Sequence, residues 1–135
     1  MATPSNKKVL VVDDESDARA FVRAILEPQG WQVAEAVNGL DGLKQARALR
    51  PDLVVLDVQM PGKGGFELFN DLRGAPETRG AKVIMLTGVA EKTGIRFSAK
   101  DMGDYLGEEP DAYVEKPIDP EVFKRTVRDV TGAGA

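Results

Sequence analysis

The amino-acid sequence predicts a doubly wound α/β fold, a five-stranded parallel sheet with helices on both faces. Three observations predict it. Short, continuous apolar runs rich in Val recur as KVLVV (8–12), DLVVLD (52–57) and KVIMLT (82–87), the pattern of strands buried on both faces of a parallel sheet. Between these runs lie segments whose apolar residues repeat at helical spacing, and strand–helix alternation winds a chain into βαβ units with right-handed crossovers. A length of 135 residues supports one hydrophobic core and not two. Residues 1–135 therefore read as a single domain with its core at about 8–130 and tails at 1–6 and 131–135.

The elements follow in order. Strand β1 is 8–12. After DDES, the residues Ala18, Phe21, Val22, Ile25 and Leu26 fall at i, i+3, i+4, i+7 and i+8, which makes helix α1, and Pro28 with Gly30 stops it. WQVAEA (31–36) alternates apolar with polar residues, so β2 is a more exposed strand near the sheet edge. Asn38 is a candidate N-cap for α2, whose stripe is Leu40, Leu43, Ala46 and Leu49 before Pro51 closes the unit. Strand β3 is 52–57, followed by a Gly-rich loop and a short helix α3 through Phe66, Phe69 and Leu72 that ends at Gly74. Strand β4 is 82–87. One helical pattern, α4, lies around 90–101, and AYVE (112–115) forms β5. Asp119 is a good N-cap, Pro120 suits the first helical position, and Val122, Phe123, Val127 and Val130 supply the stripe of α5.

Composition removes whole classes of function. There is no Cys, which excludes disulfides, thiolate catalysis and Cys-ligated metal centres, and no His, which excludes a His general base or a phospho-His within this chain. With 18 Lys+Arg against 22 Asp+Glu the net charge is −4, so the broad positive footprint of a nucleic-acid binder is missing. The stretch MATPSNKK has no apolar h-region and no apolar run approaches the roughly 20 residues of a membrane span. A cytoplasmic location is expected, with no membrane insertion and no direct nucleic-acid contact.

In an open parallel sheet, ligands bind beyond the carboxyl ends of the strands, where the strand order reverses. Here β1 runs into Asp13 and Asp14, β3 ends in Asp57, β4 in Thr87, and β5 leads into Lys116 and Pro117. With the order 2-1-3-4-5, β1 and β3 are neighbours and the three aspartates converge, flanked by Thr87 and Lys116. At an effective dielectric near 20, each carboxylate pair at ~4 Å costs on the order of 4 kcal/mol, so a cation must neutralise them. An all-oxygen site with few protein ligands favours Mg²⁺ over Ca²⁺, and Mn²⁺ fits the same donors. Each residue also has a plainer reading: Asp13 and Asp14 as turn and cap, Thr87 as a strand former, Lys116 as a solvated charge, Tyr113 as packing. Their joint position at the strand ends is what favours a site.

Taken together, VVDDE, LDVQMPG, MLTG and VEKP resemble the four signature blocks of the receiver domain of two-component response regulators, and they cover the chain from about Lys8 to about Val130. The resemblance implies a flavodoxin-like fold and a phosphoacceptor. Asp57 would take a phosphoryl group from a phospho-His on a histidine kinase or histidine phosphotransfer protein. Asp13, Asp14, Asp57 and the backbone carbonyl of Gln59 would hold Mg²⁺, and Thr87 and Lys116 would bind phosphoryl oxygens. It further implies that Thr87 and Tyr113 switch the α4-β5-α5 face toward a downstream protein, and that the Lys116–Pro117 bond is cis.

The sequence also departs from that family. Lys116 lies 29 positions after Thr87, a longer interval than the family's, and the surplus falls in GDYLGEEPD (103–111). This places Asp104, Glu108, Glu109 and Asp111 in an acidic extension beside the output face. Gly64 stands where the family often has Asp, and Gln59 and Val89 occupy positions that tune the lifetime of the acyl phosphate. The leading expectation is a stand-alone receiver with no output domain. The alternatives are a degenerate receiver serving as a constitutive docking module, or a phosphatase of the haloacid dehalogenase type. The latter needs a second Asp two residues after the nucleophile, where this chain has Gln59. A nicotinamide site fails for want of G-x-G-x-x-G, and a Walker loop for want of its Gly-Lys-Ser/Thr spacing.

Overall fold

Parallel strands with crossover helices are what the computed structural model shows; it describes residues 7–58, 60, 64–88 and 110–132. The sheet order is β2-β1-β3-β4-β5, all pairs parallel. The strands are Lys8–Val12, Gln32–Ala36, Leu53–Asp57, Lys82–Thr87 and Ala112–Glu115, and the helices are α1 Ser16–Leu26, α2 Gly39–Leu49, α3 Gly65–Gly74 and α5 Pro120–Thr131. The expected α4 and residues 103–109 of the acidic extension lie outside the described residues.

The continuous apolar runs are continuous because each strand must face a helix layer on both sides. Val9, Val11, Leu53, Val55, Ile84 and Leu86 pack with Val22 and Leu26 of α1 and Phe123 and Val127 of α5. The alternate residues Leu10, Val12, Val54, Leu56, Val83 and Met85 pack with Ala46 of α2 and Leu68, Phe69 and Leu72 of α3. Strand β2 is one edge, with Gln32 exposed, Val33, Ala34 and Glu35 half-buried and only Ala36 buried. Gln32 N–H donates to Lys7 and Ala36 C=O accepts from Asp13, so Val33 and Glu35 turn their backbone groups outward. Their carbonyls accept from Arg23 of α1 at 3.1 Å and Gln45 of α2 at 2.9 Å.

Helix ends follow the expected chemistry. Asn38 accepts from Asp41 N–H at 2.8 Å, and Asp119 accepts from Glu121 and Val122 N–H, each meeting an otherwise orphaned donor of a first turn. After α1 a short 3-10 turn, Glu27–Gln29, closes on Gly30 in the left-handed region at φ 93°.

Three residues of the expected apolar stripes face water. Phe21 is 42%, Val122 44% and Leu40 69% exposed. For α2 the cause is Gly42: a Cβ there would lie 3.0 Å from Val12 and 3.1 Å from Leu68. The helix therefore closes on the sheet along Gly39, Gly42 and Ala46, which rotates Leu40 outward. Replacing Leu40 by Gln is expected to change stability by less than about 0.5 kcal/mol. Gly42→Val, which must push apart β1 and α3, is expected to cost about 2 kcal/mol or more; urea denaturation of the two variants checks this.

Asp111, the one described acidic residue of the extension, has a local structural task. It precedes β5, where its carboxylate accepts from Val83 N–H at 2.8 Å and from Arg73 of α3 at 3.1 Å. Arg73 also donates to Ala81 C=O at 2.6 Å, so Asp111 ties the start of β5 to β4 and to the end of α3.

Candidate functional site

The carboxyl ends of β1 and β3 sit side by side because these strands pair in register, Val12 opposite Leu56. The residues that follow are Asp13 and Asp57, buried at 0% and 7% exposure, while Asp14 is exposed. Carboxylate oxygens of Asp13, Asp14 and Asp57 all lie within 4.8 Å of one another. Asp13 and Asp57 do not swing freely. Asp13 Oδ1 accepts from Glu15 N–H at 3.0 Å, and Lys116 Nζ lies 3.2 Å from Asp13 Oδ2 and 3.4 Å from Asp57 Oδ1. Burial of Lys116 works against its charge, but the fields of Asp57 and Asp13 outweigh it and hold its pKa above the ordinary lysine value. Neither Asp13 nor Asp14 is the residue at the N-cap position of α1, which is Glu15.

Three carboxylates against one ammonium leave −3 + 1 = −2 at the mouth of the sheet. Buried carboxylates in that imbalance repel, and a divalent cation has the compensating charge. Hard oxygen donors at this separation, one of them open to solvent, fit Mg²⁺ in kind, since it keeps several waters and takes few protein ligands. Gln59, whose carbonyl the sequence reading adds to this set, lies outside the described residues.

Thr87 and Tyr113 fall where the strand ends put them. Thr87 closes β4, is 7% exposed and accepts from Lys116 N–H at 2.7 Å through its carbonyl. Tyr113 pairs with Met85 in register and packs against the cluster beneath α2 and α3. By strand alternation Thr87, two residues after Met85, shares that face. The Lys116–Pro117 peptide bond is cis.

Two contributors to the site were missed by the sequence reading. Gly65 opens α3 directly against the end of β3: its N–H donates to Val58 C=O at 3.1 Å. A Cβ on Gly65 would collide with the Asp57 carbonyl and lie 2.9 Å from the Val58 Cα. The signal in the sequence is the Gly64–Gly65 pair that ends the Gly-rich loop. Arg19 donates to Asp13 C=O at 2.6 Å and to Glu35 at 2.9 Å. A lone Arg on a helix carries no signal that separates this from a solvated charge.

Glu35 also receives Arg23 at 2.8 Å. The hydrogen bond from Arg23, opposed by partial burial and reinforced by Arg19, holds the Glu35 carboxyl below its ordinary pKa. A carboxylate with a lowered folded pKa contributes stability above its unfolded pKa and loses it as pH falls through the folded one. Glu35→Gln is therefore expected to cost about 1 kcal/mol at neutral pH, and the gap in melting temperature from the wild type should close on acidification below about pH 4.

Comparison with known proteins agrees with this geometry. The response regulator receiver domain family matches residues 9–128. PilH of Pseudomonas aeruginosa is 35% identical over 127 residues, covering 91% of this chain and 96% of PilH. Among solved structures, the chemotaxis protein CheY4 of Vibrio cholerae is 29% identical with a TM-score of 0.77, covering 92% of this chain and 98% of CheY4. The receiver domain of the sensor histidine kinase PA1611 of P. aeruginosa, 20% identical, has a TM-score of 0.77 and covers 94% of this chain and 98% of that domain. It holds a magnesium ion in its active site cleft. Several matched transcriptional regulators are longer, and the chain spans about half their length. Among the described residues no helix is long and apolar enough to cross a membrane. A doubly wound sheet in the order 2-1-3-4-5, an aspartate-lined mouth and a family match across most of the sequence lead to one conclusion: the chain belongs to the response regulator receiver domains of two-component signalling.

Proposed function

We propose that Asp57 is the phosphoacceptor, taking its phosphoryl group from a histidine kinase or histidine phosphotransfer protein with Mg²⁺ bound at Asp13, Asp14, Asp57 and the Gln59 carbonyl. What supports this reading is one observation: Asp57 is buried beside two further carboxylates and within 3.4 Å of a lysine ammonium. A nucleophilic carboxylate is a poor attacker of an anionic phosphoryl group unless charge at the centre is neutralised. When bound, Mg²⁺ supplies that neutralisation and orients the phosphoryl oxygens.

The protein's own groups divide the remaining tasks. A carboxylate oxygen of Asp57 forms the new O–P bond as the bond from phosphorus to the donor breaks, and the donor keeps the electron pair. Lys116, held between Asp13 and Asp57, turns its ammonium to a phosphoryl oxygen and pairs with the negative charge there. Thr87 donates its hydroxyl to another. Its inward movement lets Tyr113, on the same face, repack, and the α4-β5-α5 face changes its affinity for a downstream protein, a population shift between two packings. Residues 1–135 act as one unit in this reading, working in the cytoplasm.

The test is to incubate the protein with acetyl phosphate or phosphoramidate and Mg²⁺ and weigh it intact. A gain of one phosphoryl group, absent with chelator, is expected. Steady release of phosphate from many substrates would favour the phosphatase, and no uptake at all would favour the docking module.

A further inference from the structure

We infer that Arg19 is a positioning residue for the acidic pair, fixing the turn that carries Asp13 and Asp14 and thereby setting the affinity of the pocket for a divalent cation. This rests on the site reading above but concerns a residue outside the ligand set. The lever is one peptide plane. The carbonyl of Asp13 belongs to the peptide that joins it to Asp14, so whatever holds that oxygen also fixes where the Asp14 Cα sits. Arg19 Nη1 holds it at 2.6 Å. Asp14 has no comparable tether: its side chain is exposed, and among the described residues it has no hydrogen-bond partner. Its carboxylate is delivered to the cluster by the backbone alone.

Arg19 is suited to this by being anchored twice. Its side chain is 12% exposed, and its Nε donates to Glu35 at 2.9 Å, so a planar guanidinium fork spans from the edge strand to the turn. The same strand grips the turn a second time, since Asp13 N–H donates to Ala36 C=O at 3.2 Å. Glu35 neutralises the guanidinium, which leaves Arg19 acting on the pocket through geometry more than through field. Lysine keeps the charge but, as a point donor, cannot reproduce a fork held at both ends.

Arg23 supplies an internal control. It bonds Glu35 at 2.8 Å and Val33 C=O at 3.1 Å but does not touch Asp13. Calorimetric titration with MgCl₂ of the wild type, Arg19→Lys, Arg19→Gln and Arg23→Gln reads the inference directly. Both Arg19 variants are expected to bind Mg²⁺ about tenfold more weakly or worse, as removal of an outer support of a metal ligand does, while Arg23→Gln stays within about twofold. Thermal melts confirm folding, and Arg19→Lys decides alone if Arg19→Gln does not fold. Unchanged Mg²⁺ affinity in the Arg19 variants overturns the inference, as does an equal loss in Arg23→Gln. A wild type that binds Mg²⁺ without phosphoryl uptake sinks only the phosphoacceptor reading, whereas a wild type that binds no Mg²⁺ overturns both.

Discussion

Replacing Asp57 by Asn is expected to abolish phosphoryl uptake while raising the melting temperature in metal-free buffer. The first effect removes the attacking oxygen, since an amide is no nucleophile toward phosphorus. The second follows from the charge balance. With Asn at 57, the cluster falls from three carboxylates against one ammonium to two, and the residual charge falls from −2 to −1. Asn occupies nearly the same volume, so packing is kept. Against this gain stands the lost attraction to Lys116, which retains Asp13 at 3.2 Å. Relief of repulsion among buried carboxylates is the larger effect, on the order of 1–2 kcal/mol after solvent screening of the exposed Asp14. A chain of this size should gain a few degrees. Saturating Mg²⁺ should stabilise the wild type more than the variant, because binding to the folded state alone adds stability by mass action. Calorimetric melts with and without Mg²⁺ measure the two stability effects, and intact mass after incubation with acetyl phosphate measures the first; a variant less stable than the wild type without metal would contradict the charge balance.

Gly65→Ala is expected to be the most damaging single methyl in the described part of the chain. Any Cβ at this position meets the Asp57 carbonyl oxygen and, at 2.9 Å, the Val58 Cα. Both obstacles are backbone, so no side chain can rotate away. Either α3 lifts off the sheet, loosening Leu68, Phe69 and Leu72 from the core, or the end of β3 moves and carries Asp57 with it. The first route costs on the order of 3 kcal/mol of stability. The second misplaces the proposed phosphoacceptor, and an error near 1 Å slows a positioned reaction by roughly 10²-fold. Gly64→Ala is the control: its Cβ would stand 3.6 Å from the nearest atom, Val58 O, an ordinary contact, and less than about 0.5 kcal/mol is expected. Urea denaturation and the rate of uptake from acetyl phosphate together show which route the protein takes.

How much of this was legible in the sequence depends on what kind of signal each feature leaves. Strands buried on both faces announce themselves as unbroken Val-rich runs, and β1, β4 and β5 begin and end at the expected residues. Caps were legible because Asn38 and Asp119 satisfy donors a few residues away. The convergence of Asp13, Asp14 and Asp57 was legible because strand ends in a parallel sheet share one edge. Helix faces were read less well. Leu40 obeys the helical repeat, yet the close approach permitted by Gly42 decides which side of α2 is buried, and the absence of a side chain leaves no hydrophobic mark. Arg19 and Asp111 were illegible for another reason. Both are charged residues whose partners, Glu35 with the Asp13 carbonyl and Val83 N–H with Arg73, come from other segments, and local composition does not encode such pairings.

The outer rim of β2 has a consequence for the behaviour of the protein at high concentration. An incoming peptide that tried to extend the sheet there would need the carbonyls of Val33 and Glu35, and both are already occupied by Arg23 from one layer and Gln45 from the other. Sheet edges left open are templates for aggregation. This one has both of its outward carbonyls engaged, from above and from below, so a strand added along it would meet acceptors already shared with side chains.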